Sequence, residues 1–181
     1  MEPRPALFLD RDGTLIEEVP YLANPSKLQL LPGVPEALKS LQDEGFLLLV
    51  VSNQSGVGRG YFTLDTVHEC NRRMLELLGL PTDFFVDVCL ATERPDEEPV
   101  YRKPSPRFIL EMAEKHDLDL AQSYMVGDKK LDLETATNAG VRGVLVKTGK
   151  PITEEVRACA DERDPRVFDD LIAFVDHLEE S

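Results

Sequence analysis

The chain is short of cysteine, of basic residues and of long apolar runs, and each shortage excludes a class of protein. Its three cysteines, Cys70, Cys89 and Cys159, are irregularly spaced and include no C-x-x-C. An odd, unpatterned set is not a disulfide framework, and it offers no zinc ribbon or thioredoxin-like motif. The longest apolar run, Phe46 to Val51, is far below the roughly 20 residues that span a bilayer. Residues 1–5 carry Arg4 but lead straight into a strand-like run rather than into the apolar segment of a secretory signal. The expected compartment is therefore a reducing cytoplasm. Lysine and arginine total 20 against 34 aspartates and glutamates, a formal net charge of −14. A surface of that sign repels nucleic-acid phosphates and anionic membranes, so neither is an expected partner.

What is present suits one globular unit. A chain of 181 residues, 42% of them hydrophobic, is sized for a single domain over 1–181 with one continuous core, and a monomer is expected. Ala6–Leu9 is an apolar run ending in Asp10, the pattern of a buried strand whose end meets solvent. Phe46–Val51 runs apolar into Ser52-Asn53, as a central strand covered on both faces does. Further strands are predicted at Phe84–Leu90, Tyr124–Val126 and Val144–Val146. Val34, Leu38 and Leu41 recur at helical spacing before Gly45, and Leu64–Leu78 opens after Thr63 with Asp65 in its first turn. Helices are also predicted at Pro106–His116, at Leu131–Ala139 closed by Gly140, and at Phe168–Leu178. Strands alternating with helices argue for an α/β three-layer sandwich: a mostly parallel, Rossmann-like sheet with helices on both faces. Ligands of such sheets bind beyond the C-terminal strand ends.

Four of those strand ends carry polar chemistry. Asp10 and Asp12 lie two apart in FLDRDGTL, followed by Gly13, which permits an abrupt turn. Two carboxylates this close repel unless one is protonated or a cation joins them, although a D-x-D pair alone is equally a solvated acidic turn. The second strand ends in Ser52-Asn53-Gln54-Ser55-Gly56, a hydroxyl and free N–H groups suited to an anion, or an ordinary polar turn. Gly56, Gly58 and Gly60 lack the spacing of a dinucleotide fingerprint. Arg102-Lys103-Pro104 supplies a planar fork and a compact charge for phosphate oxygens, in a chain otherwise poor in cations. Gly127-Asp128-Lys129 adds a carboxylate that could complete an oxygen site for Mg²⁺, and Asp132 one turn later could orient Lys103 or the metal shell. Parallel strands would deliver all four to one edge. Phosphoryl transfer is the chemistry that needs them: a carboxylate attacks phosphorus, a cation neutralises charge, and a second acid protonates the leaving oxygen. His68, His116 and His177 are scattered with no ligand spacing, and Met74, Met112 and Met125 fall at apolar positions that read as core.

This order of motifs resembles the haloacid dehalogenase-like phosphohydrolase superfamily, from Phe8 to about Thr153. FLDRDGTL, VVSNQSGVGRG, YRKP, SYMVGDK and TGKPIT are similar to the D-glycero-D-manno-heptose 1,7-bisphosphate 7-phosphatase branch and its histidinol-phosphatase relatives. The resemblance implies that Asp10 is the nucleophile and forms an aspartyl-phosphate. Asp12 would protonate the leaving group and then activate water. Asp10, the backbone carbonyl of Asp12 and Asp128 would hold Mg²⁺. Ser52 and Lys103 would bind the transferring phosphoryl group, and Arg102, Asn53 and Lys129 would contact the substrate, with Glu18–Tyr21 as part of its wall. The implied partner is a small phosphorylated metabolite, a heptose bisphosphate ahead of histidinol phosphate. A phosphoacceptor receiver-like signalling module and a phosphatase of nucleic-acid ends are the rivals on this chemistry. One departure stands out: many members carry a Cys-x-His pair and two further cysteines before the RKP motif. Here Cys89 is followed by Ala91 in place of the histidine, and no cysteine lies between it and Arg102. A four-ligand zinc site is therefore not expected. With no room for a large cap domain, loops are expected to choose the substrate.

Overall fold

The central strands of the sheet are short and apolar on both faces, because helices cover both. The computed structural model describes residues 3–161 and 166–180. Strands β1 (Ala6–Leu9), β2 (Leu47–Asn53), β3 (Asp87–Ala91), β4 (Tyr124–Gly127), β5 (Arg142–Val146) and β6 (Arg166–Phe168) form one sheet in the order β3-β2-β1-β4-β5-β6. Every neighbouring pair is parallel. The connecting helices are α1 (Val34–Asp43), the single turn α2 (Ser55–Gly58), α3 (Leu64–Leu78), α4 (Arg107–His116), α5 (Lys130–Ala139), α6 (Glu154–Asp161) and α7 (Leu171–Glu179). Period-two alternation sorts the strand side chains into two layers. Leu7, Leu9, Leu48, Val50 and Val126 pack with residues of α1, α3 and α7 on one face. Ala6, Phe8, Leu49, Val51 and Met125 pack with α4 and α5 on the other, where Leu133 and Leu145 also meet Val156 of α6.

From β1 the chain moves outward through β2 and β3, then returns to place β4 on the other side of β1. The connections leaving β1 and β4 diverge, which opens a crevice above their C-terminal ends. The long connection from β1 to α1 folds back on itself beside this crevice, with Ile16 bridging to Asp12 and to Leu30. It carries only a short helical turn at Pro25–Lys27, so no further layer covers the sheet edge.

The α3 boundaries follow their local signals: Thr63 Oγ1 accepts from the N–H of Thr66, and Gly79 closes the helix in the left-handed region. Three segments differ from the sequence-based expectation. β3 begins at Asp87 rather than Phe84, because Phe84 and Phe85 sit in the preceding turn, stacked edge to face at 5.2 Å and plugging the core. Phe168 ends β6 instead of opening the last helix, which starts only after Asp170, whose side chain accepts from the N–H of Ala173 at 2.9 Å. A three-residue strand carries no periodicity to read, so β6 was invisible. Helix α6 is largely polar and contributes little to the core, which hid it equally; the side chain of Cys159 within it lies outside the described residues.

Phe174 is fully buried and stacks on Tyr124 and Phe168 at 5.3 Å each. Phe174→Ala should lower the urea-unfolding free energy by about 3–5 kcal/mol. Leu110→Ala, on the exposed side of α4, should change it by no more than about 0.5 kcal/mol. Equal losses for the two would contradict this packing.

Candidate active site

The crevice between β1 and β4 collects the charged strand ends. Asp10 directly follows β1, and its N–H donates to the Val126 carbonyl at 2.9 Å, so sheet pairing continues to the reacting position. Its carboxylate is buried. One oxygen, Oδ1, accepts from Lys103 Nζ at 2.8 Å. The other, Oδ2, is buried without a hydrogen-bond partner among the described residues and lies 3.6 Å from Lys129 Nζ. Burial pushes this carboxyl up, but the Lys103 and Lys129 ammonium groups together outweigh it and hold Asp10 below the usual range.

Asp12 is turned to a different set of partners. Arg11, though a charged residue, is 1% exposed; its Nε and Nη2 donate to both Asp12 oxygens at 3.0 and 3.2 Å, and its Nη1 donates to Asn71 of α3 at 2.8 Å. Gln54 Nε2 donates to Asp12 Oδ2 at 3.1 Å and to Ser52 Oγ at 2.8 Å. Ser52 Oγ thus accepts from Gln54 and keeps its own proton free to donate.

Lys103 is 3% exposed and shared between Asp10 and Asp132, whose Oδ1 accepts from Nζ at 2.6 Å. Asp132 Oδ2 in turn accepts from the backbone N–H of Lys129 at 2.9 Å, which fixes the carboxylate in the first turn of α5. Burial works against the Lys103 charge, yet Asp10 and Asp132 outweigh it and hold the ammonium above its ordinary value. Asn53 has both polar ends engaged by the Lys103 backbone: Oδ1 accepts from its N–H at 2.9 Å, and Nδ2 donates to its carbonyl at 3.4 Å.

Asp128 packs against two glycines that leave room for nothing larger. A Cβ on Gly13, itself at φ 89°, would lie 2.6 Å from Asp128 Oδ2, and one on Gly149 would collide with the same carboxylate. The N–H of Lys150 donates to that oxygen at 2.8 Å, so the TGK segment seals the back of the site. Burial first, and then the Asp10 charge, push Asp128 up to about 7. Lys129 Nζ sits 3.0 Å from Asp128 Oδ1, 3.2 Å from the Asp12 carbonyl and 3.6 Å from Asp10 Oδ2. Its ammonium thus marks the point on which two carboxylates and a carbonyl converge. That donor set is all hard oxygen, and with the unpartnered Asp10 Oδ2 it fits Mg²⁺. Asp10, Asp128 and Asp132 also have oxygens within 4.8 Å of one another, but Asp132 is committed to Lys103 and to the α5 backbone, so it is the weaker candidate ligand.

A cavity of about 340 Å³ opens above these groups. That volume is near the lower end of small-molecule pockets, which run from roughly 300 to 1,000 Å³. Asp10, Asp12, Asn53, Lys103 and Lys129 line it, and so do Glu18, Tyr21 and Arg102. Ser52 and Asp128 lie just behind the lining. Glu18 Oε2 pairs with Lys129 at 3.0 Å, and Tyr21, at φ 50°, stacks edge to face on Tyr61 at 4.9 Å. Sequence reasoning overlooked Arg11, Gln54 and Lys150, and left Asp132 as a mere possibility. Arg11 stands between Asp10 and Asp12, and nothing in that charged stretch signals that it is buried. Cys89 is buried on β3, and burial with the nearby Glu93 charge pushes its thiol up to about 12, far from the thiolate that binds metals.

Comparison with known proteins agrees with this geometry. A HAD-hydrolase-like family model matches residues 100–174. The D-glycero-D-manno-heptose-1,7-bisphosphate 7-phosphatase of Thermosynechococcus vestitus is 43% identical over 158 residues, covering 81% of each chain. The D-glycero-beta-D-manno-heptose-1,7-bisphosphate 7-phosphatase of Escherichia coli K12 is 37% identical over 175 residues, covering 87% of this chain and 86% of that protein. The crystal structure of the D,D-heptose 1,7-bisphosphate phosphatase of B. bronchiseptica, complexed with magnesium and phosphate, superposes with a TM-score of 0.84 at 28% identity, over 97% of this chain and 98% of the other. The chain therefore belongs to the heptose-1,7-bisphosphate 7-phosphatase family of the haloacid dehalogenase-like hydrolases and is a phosphoric monoester hydrolase.

Proposed function

We propose that this chain is a Mg²⁺-dependent phosphatase that converts D-glycero-D-manno-heptose 1,7-bisphosphate to the 1-phosphate through an aspartyl-phosphate on Asp10. The observation that carries the reading is the state of that carboxylate. It is buried at the floor of the cavity, kept ionised by two ammonium groups, and bonded through one oxygen only. The names of the relatives supply the sugar.

Each residue then has a chemical task. Asp10 attacks phosphorus, and the bond to the leaving sugar oxygen breaks. Lys103 Nζ and the Ser52 hydroxyl stabilise the phosphoryl oxygens during transfer. Asp12, held by Arg11 and Gln54 on the lip of the cavity, gives its proton to the leaving oxygen. It then takes a proton from the water that hydrolyses the aspartyl-phosphate, which releases phosphate and restores the Asp10 carboxylate and the Asp12 carboxylic acid. Asp10, the Asp12 carbonyl and Asp128 would hold Mg²⁺, which would neutralise charge on the phosphoryl group. Lys129, Glu18, Tyr21, Asn53 and Arg102 shape the substrate site. A single-domain monomer acting in the cytoplasm is proposed with this reading; separately, among the described residues no helix is long and apolar enough to cross a membrane.

Asp10→Asn should reduce phosphate release at least about 10⁴-fold. Asp12→Asn should lower kcat by about 10²–10⁴-fold on the sugar substrate. Phosphate release by Asp10→Asn at the wild-type rate would remove the assigned nucleophile. The substrate is tested by kcat/KM on the heptose bisphosphate against histidinol phosphate; preference for the latter would overturn the sugar and leave the chemistry.

Mg²⁺ at about 100 times its Kd should stabilise the fold by about 2.7 kcal/mol, seen as a rise in Tm that EDTA reverses. Asp128→Asn should abolish most of that rise. A Tm that responds to Mg²⁺ equally in wild type and variant would place the metal elsewhere.

A further inference from the structure

The connection from β3 reaches the cavity lining at Arg102, and its closure depends on one side chain. Glu93 Oε1 accepts hydrogen bonds from three successive backbone N–H groups: Val100 at 3.1 Å, Tyr101 at 2.6 Å and Arg102 at 3.0 Å. Arg102 returns the contact, its Nη1 donating to the Glu93 carbonyl at 3.4 Å. The two residues are thus joined in both directions, and residues 94–99 are looped out between them. Converging N–H groups of this kind form a nest for an anion, and here the anion belongs to the chain itself. Burial opposes the Glu93 charge, but the backbone hydrogen bonds outweigh it and hold the carboxyl below the usual range. A clamp built on a carboxylate therefore persists across neutral pH. No cysteine–histidine set is present to close this loop on zinc, and hydrogen bonds close it instead.

The neighbouring residue is held from the opposite side. Asn53, at the end of β2, grips both the N–H and the carbonyl of Lys103. The Arg102-Lys103 pair is therefore fixed between Glu93 and Asn53, yet the two side chains differ in freedom. The Lys103 ammonium has its own buried anchors in Asp10 and Asp132. Among the described residues, the only hydrogen bond of the Arg102 side chain goes to Glu93, and Arg102 is part of the cavity lining. Loss of the clamp would release Arg102 and leave Lys103 in place.

We infer that Glu93 is a positioning residue for substrate recognition: its carboxylate sets the Arg102 backbone and so aims the guanidinium at the second anionic group of a bisphosphate. The inference rests on the function proposed above. It separates binding from chemistry, because Arg102 serves the remote phosphate and Lys103 the reacting one. The class of substrate that benefits is a sugar with two phosphates, and a monophosphate gains nothing from Glu93.

The test compares the wild type with Glu93→Ala, Glu93→Gln, Arg102→Ala and the Glu93→Ala/Arg102→Ala double variant, on heptose 1,7-bisphosphate and on p-nitrophenyl phosphate. Loss of the clamp should raise KM for the bisphosphate about tenfold or more, the scale of one charged hydrogen bond. In Glu93→Ala the kcat should stay within about twofold, and both constants for p-nitrophenyl phosphate should hold. Glu93→Gln, which keeps an acceptor oxygen, should recover part of the loss, and the double variant should be no worse than Arg102→Ala. Equal losses on both substrates, a fall in kcat, or additive losses in the double variant would overturn the inference. Amide exchange in Glu93→Ala tests the clamp without substrate: the N–H groups of residues 100–102 should exchange faster while those of β1 and β4 keep their rates. Unchanged exchange overturns the clamp alone. A wild type that prefers p-nitrophenyl phosphate to the bisphosphate overturns the substrate reading alone.

Discussion

One buried ammonium ties the site together. Lys103 Nζ lies between Asp10 at the end of β1 and Asp132 in the first turn of α5, at 2.8 and 2.6 Å. All three side chains are essentially excluded from solvent. A charge buried this way is costly unless it is paired and its hydrogen bonds are filled, and removal of one partner leaves the others stranded. The triad therefore acts as a geometric lock. It fixes the loop before α4 against the sheet, sets the direction in which Asp10 presents its free oxygen, and orients the turn that carries Asp128 and Lys129. The remaining acids repel one another at the same sheet edge, and Lys129 relieves that repulsion at the position where a divalent cation fits.

The global charge of −14 and the local character of the pocket have opposite signs. Lys103, Lys129, Arg102 and Lys150 all line the cavity, so a phosphorylated ligand meets cations at close range. The Debye length is about 8 Å at physiological ionic strength, which screens the distant acidic surface. The acidity thus excludes polyanions with large footprints, while a small phosphate ester is admitted. The same economy applies to shape. No extra layer covers the sheet edge, so the cavity is lined above the catalytic floor by residues 18–22 of the β1–α1 connection and by Arg102 at the end of the clamped loop.

Much of this was legible in the chain. Asp10, Ser52 and Asp128 could be placed because each follows an apolar run whose end in a parallel sheet has a known direction. The α3 boundaries were legible because Thr63 and Gly79 are local signals. What stayed hidden depends on partners remote in sequence. Arg11 reaches Asn71, sixty residues away, and nothing near it announces that contact. Asp132 reads as an ordinary acid at a helix start until Lys103 is placed beside it. Glu93 sits in the most loop-like stretch of the chain, where a carboxylate looks solvated; only folding brings three N–H groups to it. The Phe84-Phe85 turn was misread because hydrophobicity reports burial, and burial alone does not separate a strand from a plug.

The central claim is that Asp10 carries the phosphoryl group between two chemical steps with different needs. The leaving group of p-nitrophenyl phosphate requires no protonation, so Asp12→Asn should complete the first step and fail at the second. Rapid-quench kinetics with Mg²⁺ should then show one equivalent of nitrophenolate released per enzyme, followed by a stall. Intact-mass and peptide analysis should find one phosphoryl group on residue 10. A variant that turns over without a burst, or one that stalls with the phosphoryl group on another residue or on none, would contradict the account.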